Sequence, residues 1–242
     1  MRTATNYAQN SARLKETSTL MRERLKPSFR VVCTTLALAQ LLGAASFSST
    51  YASLLEDELH NGLRALQRGD YATAMRLLRP LAEHGNAPAQ HYVGEMYHIG
   101  RGVQQSSAQA AMWYRKAAEQ GFDLAQSSLG LLYEWGEGVP KNNAEATKWT
   151  LMAAKQGNWA AQDRLSDSYR VGLGVPQNYV LAYMWQSIAG HNADYKEEAK
   201  EKKEKLEPHL APSQIVEAQD LAQQCIESHY ENCPATVSSR GR

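Results

Sequence analysis

The amino-acid sequence predicts an all-α protein, a right-handed α-solenoid of stacked helix-turn-helix repeats that ends in a C-terminal helical cap. Two observations predict this fold. Residues of the same type recur every 36 positions between 87 and 192, and apolar residues within each period follow helical spacing. A single helix pair cannot bury both of its faces, so consecutive pairs must stack. The predicted units are repeat 1 (87–122), repeat 2 (123–158) and repeat 3 (159–192).

Glycine, tyrosine and tryptophan mark the period most clearly. Glycines recur where the first helix of each repeat must end and the chain must turn back, a place that favours positive φ. Aromatic residues recur on the apolar stripes, where we expect them to fill the wedge between neighbouring helix pairs. These structural positions are Gly100, Gly136 and Gly172; Gly102, Gly138 and Gly174; Tyr97, Tyr133 and Tyr169; and Trp113, Trp149 and Trp185.

Weaker segments flank the three repeats. Residues 53–86 are predicted to form a degenerate hairpin, and residues 193–229 two capping helices, one rich in charge and one amphipathic. Residues 230–242 are predicted to be a flexible tail. In the hairpin, the residues that match second-helix positions one period earlier are Ala72, Ala74, Leu77 and Ala82.

Cys225 and Cys233 are the two cysteines near the C-terminus. In an oxidising compartment they could form a disulfide that fixes the tail to the cap. The alternative is a buried Cys225 on the apolar stripe of its helix and a free Cys233.

Residues 1–52 are predicted to be an export signal with a long basic leading region. The segment 31–55 carries no charge, and its apolar core of 15 residues is shorter than the roughly 20 that span a bilayer. An uncleaved anchor is the alternative, and a start at Met21 would give ordinary signal-peptide proportions. The basic residues just before the apolar core are Arg22, Arg24, Lys26 and Arg30.

Composition and motifs exclude several classes of function. A formal net charge of +1 argues against nucleic-acid binding, which needs a basic surface. Three cysteines are too few for a multi-cysteine zinc module. Because no hydrolase, P-loop or zinc-protease motif occurs, we predict no catalytic residues and no cofactor. His91, Glu95 and His98 share a helical face, but no other repeat has this pattern, so we predict a solvated face and no metal site.

The recurring residues resemble those of a known repeat family. The pattern A-x-A-Q-x-x-L-G-x-x-Y-x-x-G-x-G-V, followed by A-x-x-W-[YT]-x-x-A-A-x-x-G, resembles the Sel-one-like repeat family, which is related to the tetratricopeptide repeats. Ala125 to Gly157 fits it nearly position for position. Repeat 3 departs from it at Ser166 and at Ala193, where the family pattern has glycine. The resemblance implies a scaffold or adaptor, often in bacterial envelope or host-contact settings.

Positions that vary between the repeats predict the binding surface. On the first helices they share one face, which in tetratricopeptide-like stacks lines the concave groove. Trp135 and Trp159 fall outside the repeated tryptophan position and are predicted to anchor a partner. The remaining candidate residues are His91, Glu95 and His98 in repeat 1; Ser127, Leu131 and Glu134 in repeat 2; and Asp163, Asp167 and Arg170 in repeat 3.

The sequence therefore predicts an exported, non-enzymatic scaffold, periplasmic or secreted, that binds a protein or peptide in the solenoid groove. We expect a monomer that does not bind nucleic acid and that contacts a membrane only through an uncleaved signal. The alternative is a bacterial envelope enzyme or receptor that acts on peptidoglycan fragments. Labelling of a serine by a fluorescent penicillin would favour that alternative.

Overall fold

A computed structural model describes residues 45–234 of the chain, with side chains from Glu56 onward. The chain divides into two compact units, 1–57 and 58–242. Residues 1–44, most of the predicted export signal, lie outside the described range, as do residues 235–242 of the predicted tail. No helix in the described range is long and apolar enough to cross a membrane.

The described residues form ten α-helices and two short 3-10 helices. Helices α1 and α2 precede the repeats, repeats 1 to 3 each contribute a helix pair, and α9 and α10 form the cap. The helices are α1 (Ala45–Gln67), α2 (Tyr71–Glu83), α3 (Ala87–Ile99), α4 (Ser107–Glu119), α5 (Asp123–Trp135), α6 (Asn143–Ala154), α7 (Trp159–Val171), α8 (Tyr179–Ala189), α9 (Lys196–Leu206) and α10 (Pro212–Glu227). The 3-10 helices are Ala193–Tyr195 and Glu207–His209.

Polar caps and glycines fix the ends of the repeat helices. Asn158 precedes α7, and its side chain accepts a hydrogen bond from the backbone N–H of Ala161, which satisfies a donor of the first turn. At the other end, Gly172 has φ of +76°, and its N–H donates to the carbonyl of Ser168. Since positive φ strains any residue with a Cβ, glycine is required at this helix end.

The loop after each first helix contacts the second helix of the preceding repeat. Gly174 has φ of +73°, and a Cβ built on it would lie 2.6 Å from Thr147 Oγ1 and closer still to the carbonyl oxygen of Asn143. The Thr147 hydroxyl also donates a hydrogen bond of 2.9 Å to the carbonyl of Leu173. The glycine therefore allows the loop of repeat 3 to approach the backbone of α6.

A buried glutamine in each repeat links consecutive helices. Gln126 is 1% exposed, and its Nε2 donates a 3.1 Å hydrogen bond to the carbonyl of Ala118 at the end of α4. Its Oε1 accepts a 2.7 Å hydrogen bond from Gln156, beyond the end of α6. A buried amide is stable only when it is hydrogen-bonded, so these partners explain a polar residue in the core. Gln90 makes the equivalent bonds to Ala82 and Gln120.

The helix preceding repeat 1 differs in detail from the predicted stripe. In α2, Ala74 and Ala82 are buried as predicted, but Ala72 is exposed. Leu78 and Leu81 complete the buried stripe. The difference arises because Ala72 lies two residues before Ala74, about 200° around the helix, and so faces away from the buried stripe.

The cap closes the end of the solenoid. Helix α10 packs on α8, and Ala222 and Cys225 join the apolar cluster that contains Leu165 and Trp185 of repeat 3. A disulfide joins Cys225 to Cys233, and both residues are buried. It closes a short loop that begins at the C-terminal end of α10.

Opening this disulfide should destabilise the protein. Replacing Cys233 by alanine removes the link, and chain entropy for a nine-residue loop predicts a loss of about 2.6 kcal/mol in the free energy of unfolding. Urea denaturation of the parent and of the variant would measure the loss. The parent with dithiothreitol should match the untreated variant, and the variant should not respond to the reductant. Equal unfolding midpoints for the parent and the variant would contradict the prediction.

Candidate partner-binding surface

Two of the predicted binding residues lie in the seam between repeats. His91 is 7% exposed and packs against Tyr114 and Phe122, with ring centroids 5.4 Å away in each case. Ser127, at the equivalent position of repeat 2, is also buried, and Arg164 of repeat 3 donates hydrogen bonds to its hydroxyl and to its carbonyl. Both side chains are therefore mostly buried, but both also line a cavity at the beginnings of α5 and α7, so they border the face that was predicted to bind a partner.

Burial changes the protonation of His91. Loss of hydration lowers the pKa of His91 to about 4, against a smaller opposing effect from the carboxylate of Asp123. The imidazole is therefore neutral near pH 7. Its Nδ1 is buried without a hydrogen-bond partner among the described residues.

The cap covers the corresponding face of repeat 3. Lys202 Nζ lies 2.7 and 2.9 Å from the two carboxylate oxygens of Asp163, and the Tyr195 hydroxyl donates to the same carboxylate. Trp159 stacks on the Tyr195 ring with centroids 4.8 Å apart. Burial opposes the charge on Lys202, but its hydrogen bonds to Asp163 and Tyr195 raise its pKa above the ordinary value. Asp163 was predicted to be available to a partner, but two cap residues, Tyr195 and Lys202, bind its carboxylate.

Several other predicted residues form pairs with neighbouring side chains. His98 Nε2 lies 2.9 Å from a carboxylate oxygen of Glu137 in the next repeat. Arg170 binds Asp167 one helical turn away on α7, with nitrogen–oxygen distances of 2.8 and 2.9 Å. Surface pairs of this kind contribute little stability, and they leave both residues within reach of a partner.

Glu95, Leu131 and Glu134 are half-buried on the first helices of repeats 1 and 2. Burial lowers the pKa of Arg164, and the nearby Glu134 carboxylate partly opposes this shift.

His91, Glu95 and His98 do not converge on one point. Within residues 56–234, no three His, Cys, Asp or Glu side chains come close enough together to hold a metal ion.

Three exposed apolar side chains occupy one repeated position. Ile99, Trp135 and Val171 are the last residues of α3, α5 and α7, and they are 47%, 55% and 52% exposed. We call these three residues the exposed row. Trp135 was predicted from the sequence, but Ile99 and Val171 were not, because each is an ordinary apolar residue when taken alone. The signal was their shared place directly before the glycine that ends each first helix.

A cavity of about 530 Å³ lies between the beginnings of α5 and α7. Leu124 and Trp159 line it and are each 40% exposed. Asp123 and Ser128 add polar atoms, and the Asp123 carboxylate accepts a 2.9 Å hydrogen bond from Asn158. The first helices thus carry apolar side chains at both of their ends.

Comparison with protein families identifies the repeats. The Sel1 repeat model matches residues 57–86, 87–122, 123–158 and 159–190. The chain belongs to the Sel1 repeat family. Sel1 repeats are generally scaffolds for protein–protein interaction. The matched segments include residues 57–86, which fall within the predicted degenerate hairpin 53–86.

Two solved structures are similar to this Sel1 repeat chain. A Sel1 repeat protein from Oxalobacter formigenes is 36% identical over 57% of this chain and 57% of its own, with a TM-score of 0.55. A protective antigen present in uropathogenic Escherichia coli strains displays an SLR fold and is 27% identical over 78% of this chain and 50% of its own, with a TM-score of 0.52. The chain thus spans about half the length of each. No curated protein matches it. The prediction of an all-α solenoid is confirmed.

Proposed function

We propose that this protein is an exported, non-enzymatic scaffold that binds a protein partner along the exposed row. The observation that carries the proposal is the repetition of a large exposed apolar side chain at the end of three consecutive first helices. About half of each of these side chains is exposed, so a partner that covers the row would bury apolar surface that the chain itself leaves in water. Exposed apolar side chains that recur at one position of successive repeats are expected of a binding surface, because scattered single residues would not repeat.

Trp135 is the central residue of the exposed row and its main anchor. It is 55% exposed, and tryptophan is enriched among the residues that dominate binding energy. Charged residues adjoin the row, with Glu134 beside Trp135 and Arg170 beside Val171. A polar rim around apolar anchors is the usual organisation of a protein interface.

Two observations support export. An uncharged apolar segment with four basic residues before it precedes the solenoid. The disulfide between Cys225 and Cys233 is of the kind that persists in oxidising compartments. Both agree with a periplasmic or secreted protein.

The proposal predicts that Trp135→Ala weakens capture of the partner. The tagged full-length chain, expressed in a bacterial host and recovered from its periplasm, would be incubated with an envelope extract. Proteins retained by the parent would be identified by mass spectrometry, purified and titrated against parent and variant. We expect Trp135→Ala to weaken binding at least 10-fold, because it removes the largest apolar side chain of the surface.

Met152→Ala is the matched control. Met152 is 41% exposed on α6, so its truncation removes an exposed apolar side chain, smaller than that of Trp135, from a second helix. It should bind like the parent, and circular dichroism should be the same for all three proteins. Equal binding by parent and Trp135→Ala, or equal loss in both variants, would contradict the proposed surface. Retention of cell-wall fragments alone would contradict the scaffold function.

A further inference from the structure

A second cavity, of about 480 Å³, lies between repeat 3 and the cap. Helix α7 contributes Ser166 and Arg170 to its lining, α8 contributes Gln186, and α9 contributes Lys202 and Lys205. Its volume is within the range of pockets that bind a ligand larger than a single ion. Cap residues form part of its wall, so no pair of repeats has an equivalent cavity with these side chains.

Repeat 3 has polar residues in the wall of the cavity at two positions where repeat 1 has a glycine packed against an aromatic ring. In repeat 1, a Cβ on Gly94 would lie 2.8 Å from the ring of Tyr114, so glycine and an aromatic ring fill this position. In repeat 3 the equivalent residues are Ser166 and Gln186, which are 3% and 1% exposed. Gln186 Nε2 donates a 3.2 Å hydrogen bond to the Tyr195 hydroxyl. The departures from repeat 1 at Ser166 and at Gln186 thus place two buried polar side chains beside the cavity.

The charge of the lining is positive. Arg170 is paired with Asp167, and Lys202 with Asp163, so these four charges largely cancel. Lys205 also lines the cavity, and it makes no ion pair with the side chains from Glu56 to Pro234. Arg170 uses Nε and Nη2 on one carboxylate oxygen and retains further donors. A ligand that enters the cavity therefore meets an uncompensated cation.

We infer that this cavity binds a carboxylate side chain of an acidic segment of the partner protein, with Lys205 as its principal cation and Arg170 as the second. The inference rests on the proposed function and adds the chemistry of the partner. Arg170 is adjacent to Val171 on α7, so the cavity lies beside one end of the exposed row. A polypeptide that covers this row can extend acidic side chains into the cavity, and charge complementarity fixes its direction.

Fluorescein-labelled hexaglutamate and hexaglutamine peptides test the inference directly. Fluorescence anisotropy with the full chain at low salt should give hexaglutamate at least fivefold tighter binding than hexaglutamine. Lys205→Gln should remove most of this difference. Lys200→Gln is the matched control, because Lys200 is exposed on the same helix, does not line the cavity and makes no described ion pair. The control should bind hexaglutamate like the parent.

The outcomes separate this inference from the proposed function. Equal binding of the two peptides, or equal losses in Lys205→Gln and Lys200→Gln, would overturn the inference while leaving partner capture through Trp135 intact. Conversely, Trp135→Ala should not change hexaglutamate binding, since the peptide has no apolar side chain for the exposed row. A selective loss in Lys205→Gln alone would support the cavity even if no partner depended on Trp135.

Discussion

Replacing Gly174 by alanine should lower the free energy of unfolding by at least about 3 kcal/mol. Two costs combine at this position. Positive φ costs an L-residue about 1–2 kcal/mol. The added methyl group must also displace the backbone of Asn143 or the side chain of Thr147, because it would lie 2.6 Å from Thr147 Oγ1. Neither neighbour is the free end of a flexible chain, so the interface between repeats 2 and 3 must shift.

Gly121→Ala is the control for this prediction. Gly121 also has positive φ, +90°, but no atom lies within 4 Å of the place where its Cβ would be. It should therefore lose only the conformational cost, about 1–2 kcal/mol. Urea denaturation followed by circular dichroism would measure both variants. Equal losses would show that the close contact at Gly174 has no energetic weight.

The stability of the protein should fall as the pH drops from about 6.5 to about 4, because His91 is buried in its neutral form. The pKa of His91 is lowered to about 4 in the folded state from an ordinary 6.5. Between these values the unfolded chain binds a proton that the folded chain does not, so acid favours unfolding. The shift corresponds to a loss of up to about 3 kcal/mol at the acid end.

His91→Phe isolates this effect from the titration of carboxylates. Phenylalanine keeps the ring contacts with Tyr114 and Phe122 but cannot be protonated. Free energies of unfolding would be measured for parent and variant at several pH values between 4 and 7.5. The difference between the two proteins should grow in favour of the variant as the pH falls. Parallel profiles would mean that His91 gains no proton on unfolding.

The repeat architecture could be predicted from sequence because its determinants are local and periodic. Gly172 must adopt positive φ at a helix end, and Gln162 must find a carbonyl eight residues earlier. Each requirement recurs at 36-residue spacing, so comparison within the chain reveals it. The contacts that require each of these residues lie within one repeat and the repeat beside it.

The binding surface was harder to predict because a helix has several faces that vary in sequence. Ser127 varies between repeats, but it is buried and accepts hydrogen bonds from Arg164 of the next repeat. Sequence differences between equivalent positions therefore occur at the contacts between repeats as well as on a binding surface. Asp163 was misjudged for a related reason. Its partners Tyr195 and Lys202 belong to the cap, which does not repeat, so internal spacing carries no information about them.

The hydrogen bonds of Gln126 have a consequence for how this solenoid could change in length. Gln126 joins its own repeat to the carbonyl of Ala118 in the repeat before, and Gln156 completes the link within the same repeat. A tandem duplication of 123–158 would therefore restore every one of these bonds at the new junction. Duplication of repeat 3 would not restore its contacts in this way, because Asp163 forms an ion pair with Lys202, and the cap has only one Lys202 for two copies of Asp163. The solenoid could therefore lengthen by duplication of a whole repeat in the middle of the chain, but not by duplication of the repeat beside the cap.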